Sequence, residues 1–302
     1  MTNIRLELLR YLPWRYRHGI VNRFGAHFWL RGLDNSQVRG RFLGVDVELD
    51  LRDHIQFWMF VDGAFDLPFL HLFWRLLELL PRAIVLDIGA NVGNHTVAFA
   101  RSAEVVHAFE PNPTARERLH AIIAAHSCQN VIVHPVGLGE SPGEREFFEN
   151  AAGNLGSSTF VAARAESFAA VNRRSLRIER GDDYLAEHGI DRVSLVKLDV
   201  EGLEVEVLRG LRRTIAASRP LIIMEYRGET RRALAHQDVL ESLAPEYVPW
   251  ALEIGPSGLG KYFRRAVAVA TRFYPEREYG HIILVPRESI KRFGSLLPEA
   301  VL

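Results

Sequence analysis

Cysteine occurs once in the 302 residues, at Cys128. A single thiol excludes an intrachain disulfide and any multi-cysteine zinc site, which fits a reducing compartment. Lysine is almost as scarce, found only at 197, 261 and 291, so arginine carries most of the positive charge. Neither sign is in surplus. Lys+Arg and Asp+Glu each number 37, and a balanced chain gives no support to a nucleic-acid partner, which normally leaves a basic excess. Long apolar runs are missing too. The most apolar stretch, LPFLHLFWRLLELL (67–80), is too short to cross a bilayer and carries His71, Arg75 and Glu78 on one helical stripe. With Asp66 as N-cap and Pro68 in the first turn, it reads as a nearly buried core helix. The opening MTNIRLELLRYLPWRYR lacks the uninterrupted apolar core of a signal peptide, so a soluble, cytoplasmic protein is expected. No internal repeat or low-complexity segment is found.

What is present is a 48% hydrophobic chain, enough for one large domain or a domain with an appendage. Residues 1–42 differ from the rest. Arginines at 5, 10, 15, 17, 23, 31, 39 and 41 face only Glu7 and Asp34, with Tyr11, Trp14, Tyr16, Phe24, Phe28 and Trp29 between them. Arginine with aromatics suits peripheral contact with the inner, anionic face of a membrane or a sugar-bearing partner, against a helical arm packed on the domain with its guanidinium groups in water. The division expected is an arginine- and aromatic-rich extension with its helix over 1–80 and the main domain over 81–302.

From Pro81 onward, strand-like runs at 83–88, 104–110, 130–136, 193–200, 220–226, 247–254 and 281–287 alternate with helical patterns near 94–102, 113–126, 203–217 and 236–244. Near-continuous Val/Ile/Leu runs are strands covered on both faces. This predicts an α/β fold, a seven-stranded, mostly parallel sheet with helices on both faces. Residues 142–180 break the rhythm. EREFFEN and SSTFVA read as a hairpin around the polar loop AAGNLG, followed by SLRIER and a short helix capped by Asp182 or Asp183 and ended by Gly189.

In such a sheet, ligands sit outside the carboxyl ends of the strands where the chain order reverses. The first strand ends in VLDIGANVGNHT, with Asp87, Gly89 and Gly93. A dinucleotide pyrophosphate needs G-x-G-x-x-G. Here Asn91 replaces the second glycine, and a carboxylate stands where a pyrophosphate would be repelled. An acid at that tip suits S-adenosylmethionine, which has an ammonium, a sulfonium and a ribose diol. Asp87 is expected to hold its methionyl end, directly or through water. Gly89 and Gly93 would let the backbone approach the ligand. Glu110, ending the second strand, can accept two hydrogen bonds from ribose hydroxyls.

These residues, with HAFEPNP, GDDYL and VKLDVEGLEVEVLRG, resemble the FkbM family of S-adenosylmethionine-dependent methyltransferases over about residues 44–226, including DHIQFWMFVDGAFD. The specific block is Lys197, Asp199, Val200, Glu201, Gly202, Glu204, Val207, Leu208 and Gly210. The resemblance implies the class I methyltransferase Rossmann-like fold and O-methylation of a hydroxyl, often on a sugar or natural product. The cofactor-binding set expected is Asp87, Gly89, Ala90, Asn91, Gly93, Asn94 and Thr96, then Glu110, Pro111 and Asn112, with Gly137 and Asp199. Family resemblance places Asn154, Ser157 and Ser158 on the substrate side, with a surface hairpin loop as the plain alternative.

Methyl transfer to an alcohol requires an aligned nucleophile and a group to take one proton. Strand alternation puts Lys197, Asp199 and Glu201 on one side of their strand. Lys197, the deeper, is expected to pair with a carboxylate. Asp199 and Glu201 reach the tip, and Glu225 ends the neighbouring strand. Three carboxylates there would repel one another, so either one is tuned as the base, with Glu201 or Asp199 favoured, or the set takes a divalent cation, the less favoured reading. A purely structural ion network is the third. His95, at the start of the helix after the glycine turn, is a further base candidate, against packing near the adenosine or facing solvent. His107 and His134 read as core, and the other histidines as surface. Against a nucleobase-nitrogen acceptor, the segment after the fourth strand reads DVEG in place of an Asn/Asp-Pro-Pro-aromatic turn.

Overall fold

A computed structural model describes residues 21, 29, 36–151, 154–226, 228, 231, 232, 234, 246–256 and 266–297. Most of the arginine-rich arm and the helix expected at 236–244 lie outside these residues. The first elements are the strands β1 (Gln37–Phe42) and β2 (Val45–Asp50), then helices α1 (His54–Asp62) and α2 (Leu67–Glu78). Next come β3 (Ile84–Ile88), α3 (Asn94–Ala100), β4 (Val105–Phe109), α4 (Pro113–Ala125), β5 (Val131–His134) and β6 (Gly137–Gly139). β7 (Gly143–Asn150), a 3-10 turn at Leu155–Ser157, α5 (Ala162–Ala165), β8 (Val171–Arg180) and α6 (Gly181–Glu187) follow. The chain continues with β9 (Leu195–Leu198), α7 (Glu204–Gly210), α8 (Arg212–Ser218), β10 (Leu221–Tyr226), β11 (Tyr247–Pro256), β12 (Ala266–Arg272), β13 (Tyr279–Pro286) and α9 (Ile290–Phe293).

Among the described residues the main sheet has eight strands in the order β12-β11-β13-β10-β9-β3-β4-β5. β10, β9, β3, β4 and β5 are parallel, and β13, β11 and β12 join antiparallel. The seven-strand expectation omits β12, whose AVAVATR alternates small residues and gives only a weak strand signal. Side-chain alternation sorts the strands' residues between two cores. Val85, Leu195 and Ile223 join one cluster, with Phe57, Leu70, Phe73 and Val97 from α1, α2 and α3. Leu86, Val196, Leu198 and Ile222 join the other, with Leu185, Leu208 and Ile215 from α6, α7 and α8. β3 lies between β9 and β4, so the chain order reverses there and leaves a crevice at the strands' carboxyl ends.

Four local expectations are corrected. Arg39 and Arg41 sit on β1, not on a helical arm, because Leu43 and Gly44 both take positive φ (45° and 90°) and close a two-residue hairpin. The insertion's hairpin pairs β7 with β8, while Phe148–Thr159 is an isolated bridge. The eight residue pairs from Gly143↔Ile178 to Asn150↔Val171 offer a longer ladder than SSTFVA could. The helix expected over 203–217 is broken at Leu211 into α7 and α8. Gly210 ends α7 where a β-carbon would stand 1.9 Å from the Gly139 carbonyl oxygen, so the helix packs directly on β6. Asp182 does not cap its own helix; its carboxylate accepts from the amides of Arg213 and Thr214 (both 2.9 Å) and caps α8. Gly189 follows α6 at φ 66° as expected. α2 buries Phe69, Leu70, Leu72, Phe73, Leu76 and Leu77, and Asp66 precedes it in a left-handed conformation without a side-chain cap.

Candidate active site

The crevice opens as a cleft at the carboxyl ends of the parallel strands. Gly89, Ala90 and Asn91 after β3, Glu110, Pro111 and Asn112 after β4, and Gly137 on β6 line it. Lys197, Asp199 and Glu201 reach it from β9 and the turn that follows. Ile55, Phe65, Phe147, Leu155 and Phe160 complete an apolar part of the lining that the sequence did not point to. The one available signal was Asp53-x-x-Gln56, the start signature of α1, which brings Ile55 to the cleft.

β3 and β9 are paired so that Asp87 lies opposite Lys197. The Lys197 ammonium sits 3.4 Å from Asp87, 3.4 Å from Asp199 and 3.2 Å from the Gly89 carbonyl oxygen. These two carboxylates outweigh burial and raise the lysine above its ordinary range, so it stays charged. Asp87 is fully buried and also accepts from the Thr96 hydroxyl at 2.6 Å. Asp87 and Thr96 thus lie behind the lining and frame the turn. Asp87, expected to hold the donor's methionyl end directly or through water, is paired with Lys197.

The glycines also lie close against protein neighbours. At Gly89 (φ 81°) a β-carbon would stand 1.9 Å from the Asp199 carbonyl oxygen, and at Gly93 (φ 96°) one would meet Leu119 at 2.7 Å. They let β3 and its turn close on β9 and α4, and Gly93 stands outside the lining. At Gly137 a β-carbon would meet the Ile178 side chain at 2.5 Å.

Glu110 is buried, and its two carboxylate oxygens accept from the amides of Asn91 and Asn112, each at 2.8 Å. Burial outweighs those bonds and pushes its carboxyl up to about 7. A carboxylate offers about four acceptor sites, so it keeps two for a ligand with paired hydroxyl donors. That chemistry fits a ribose diol. Asn94 turns its amide to Phe65, donating to its carbonyl and accepting from its N–H (both 3.0 Å), and so fixes Phe65 in the lining.

Glu201 lies in the tight turn after β9 at φ 54°, where its carboxylate meets Arg164 at 2.9 Å. Burial and the neighbouring Asp199 carboxylate push its carboxyl up to about 8, with Arg164 opposing and Glu225 and Glu204 adding to the rise. Glu225 is half-buried on β10 and stands outside the lining. His95 lines the cleft and packs among Phe73, Phe99 and His281. Burial holds its imidazole well below its usual range, so it is neutral and does not face solvent. His281, read as a surface histidine, is likewise buried. His107 and His134 are buried as expected, their ring nitrogens 3.0 Å apart.

On the insertion, Ser158 lines the cleft, whereas Asn154 and Ser157 stand outside the lining. Asn154 accepts from the His54 amide at 3.3 Å, and the Ser157 hydroxyl donates to the Asn154 carbonyl at 2.9 Å. The start of α1 thus takes up the Asn154 side-chain oxygen, and the loop's own backbone the Ser157 hydroxyl. Among the described residues, no group of three or more His, Cys, Asp or Glu is arranged to hold a metal ion.

Over 205 residues the chain is 31% identical to the AMB antimetabolite synthetase AmbE of Pseudomonas aeruginosa, covering 55% of this chain and 9% of that protein. Over 145 residues it is 27% identical to the hexuronic acid methyltransferase AglP of Haloferax volcanii, covering 48% of this chain and 56% of that one. The chain spans less than two thirds of the length of each of these curated relatives. A crystal structure of a methyltransferase FkbM from Methylobacillus flagellatus aligns with a TM-score of 0.44 at 17% identity, covering 68% of this chain and 44% of that one. The family described as Methyltransferase FkbM domain matches residues 87–247, more than half the chain, and the protein belongs to that family of S-adenosylmethionine-dependent methyltransferases.

Proposed function

We propose that this protein transfers the methyl group of S-adenosylmethionine to a hydroxyl of a sugar or natural-product acceptor, with Glu201 as the base. Two carboxyls on one cleft with different duties carry this reading, Glu110 buried and Glu201 half-buried. Glu110 has two acceptor sites left for a diol, and Glu201 stands at the tip of β9 with its carboxyl raised to about 8. The hexuronic acid methyltransferase among the relatives supports a sugar acceptor.

When bound, the donor supplies a methyl group already activated by its sulfonium. The chain then has three tasks. Glu110, held in place by the Asn91 and Asn112 amides, would orient the ribose through its diol. Lys197 ties Asp199 to Asp87 and fixes the β3 and β9 tips relative to each other. Glu201 takes the proton of the acceptor hydroxyl as the oxygen becomes nucleophilic. Phe65, Phe147 and Phe160 keep water from the reacting atoms.

Methyl-labelled S-adenosylmethionine, offered with a panel of hydroxylated sugars and cell extracts, tests the reading. Label transfer is expected to fall by about 10²–10⁴-fold in Glu201→Gln, with S-adenosylhomocysteine binding retained. In the unmodified protein the rate should climb about tenfold per pH unit up to about 8 and then level, because only the ionised Glu201 accepts a proton. Glu110→Gln should weaken S-adenosylhomocysteine binding in calorimetry. Normal turnover by Glu201→Gln would remove the proposed base, and tight NAD binding would remove the cofactor assignment.

A further inference from the structure

Glu201 has two partners from the insertion between β7 and β8. Its carboxylate meets Arg164 on α5, and its backbone carbonyl accepts from the Thr159 hydroxyl at 2.9 Å. Thr159 is fully buried and is anchored to Phe148 on β7 through both of its backbone groups (2.9 and 3.1 Å). The same hydroxyl accepts from the Val161 amide at 3.0 Å, and the Val161 carbonyl in turn accepts from the Arg164 amide at 3.0 Å. A continuous set of hydrogen bonds therefore runs from β7 through α5 to the turn that carries Glu201. On the other side of that turn, the Glu204 carboxylate accepts from the amides of Val200 at 3.2 Å and Gly202 at 3.4 Å.

The charges around Glu201 are lopsided. Asp199 at the end of β9, Glu204 at the start of α7 and Glu225 on β10 all oppose a second negative charge, and Arg164 is the guanidinium that favours one. A carboxylate that is buried among other carboxylates is forced towards its neutral form, and a neutral acid can neither take a proton nor hold a fixed direction towards a hydroxyl.

We propose that Arg164 is a positioning residue of the catalytic centre, whose guanidinium orients Glu201 and favours its carboxylate form, so that the insertion completes the site as well as covering it. This inference rests on the reading of Glu201 as the base. Thr159 fixes the backbone of Glu201, and Arg164 fixes its side chain and its charge. The insertion acts on the proton acceptor from outside the sheet.

The test follows the ionisation of Glu201 itself. The full chain is labelled with ¹³C at the glutamate side-chain carboxyls, and the Glu201 resonance is identified by its loss in Glu201→Gln. Its titration midpoint is expected near 8 in the unmodified protein. Arg164→Gln should move that midpoint upward by about one pH unit or more, and Arg164→Lys, which keeps the positive charge, by less than half as much. Arg164 is 42% exposed at its side chain, so neither change hollows the core, and retained S-adenosylhomocysteine binding verifies that the variants are folded. A midpoint that stays in place or falls in Arg164→Gln overturns the inference. Because ionisation is measured without turnover, the two readings fail separately. Full activity in Glu201→Gln would remove the base and leave the Arg164 effect standing, whereas an unmoved midpoint would remove Arg164 and leave the base.

Discussion

Gly89 shows how a residue chosen by one neighbour can look as if it were chosen by another. In the sequence, a glycine beside a strand tip suggests a ligand pressing on the backbone. In the structure the pressing atom is the Asp199 carbonyl oxygen on the adjacent strand. Gly189 provides the contrast, with a similar positive φ of 66° and nothing within 4 Å of where a β-carbon would be. Gly189→Ala should therefore lose only the left-handed backbone preference, about 1–2 kcal/mol. Gly89→Ala should lose that plus a clash with fixed backbone, about 2–5 kcal/mol in all. Urea denaturation of the two variants separates the terms, and equal losses would show that the Asp199 contact carries no weight. Asp87 teaches the same lesson with charge. Its carboxylate at the strand tip was legible, but its partner was not, because Lys197 comes 110 residues later and only the pairing of β3 with β9 sets them side by side.

At the scale of elements, one buried carboxylate joins two parts of the cleft wall. Asp53 caps α1 by accepting from the Gln56 amide at 3.0 Å, and its second oxygen accepts from the Leu155 amide at 2.9 Å, across 102 residues. Burial raises its carboxyl above the usual range, and the two amides oppose that rise. Removing it frees both the first turn of α1 and the 3-10 turn that carries Leu155 and leads to Ser158. Asp53→Ala should lower stability by about 1–2 kcal/mol, typical of a lost N-cap. It should also speed amide hydrogen exchange at Gln56 and Leu155 together. Faster exchange at Gln56 alone would show that the turn is held by other contacts. The α1 start was visible in Asp53-x-x-Gln56, but the turn it holds was not, since nothing local ties residue 53 to residue 155.

For the whole molecule, the buried carboxyls set how stability depends on pH. Glu110 and Glu201 bind protons more tightly folded (about 7 and about 8) than at their ordinary 4.5. Over that interval the folded state holds more protons than the unfolded one. Their contribution is complete below pH 4.5 and is lost as pH rises through 7 and 8. Asp50 and Glu288 act in the opposite direction. Arg52, Ser36 and Arg118 overcome burial at Asp50, and the Arg219 hydrogen bond leads at Glu288, so both are held down at about 2. The stability that these two contribute is present above their ordinary values and is lost as pH falls towards 2. The ligand-free protein should accordingly melt at its highest temperature near pH 5 and at lower temperatures towards pH 9. The double variant Glu110→Gln/Glu201→Gln should flatten the alkaline side and melt higher than the unmodified protein at pH 9. Scanning calorimetry across pH checks this, and unchanged alkaline slopes would show that neither carboxyl is raised.

The parallel core of the sheet, the position of the cleft and the family are legible in the residues alone. These rest on contiguous signals: apolar runs of strand length, an acid and a glycine at a strand end, and a dense block from Lys197 to Gly210. Only the folded chain separates the residues that line the cleft from those that hold its frame. Asp87, Gly93 and Thr96 moved to the frame, Phe65 and Phe160 to the lining, and Arg164 to the side of Glu201. The physical reason is that a side chain's role depends on its nearest partner in space. For buried charges and close backbone contacts, that partner came from strands and loops far along the chain.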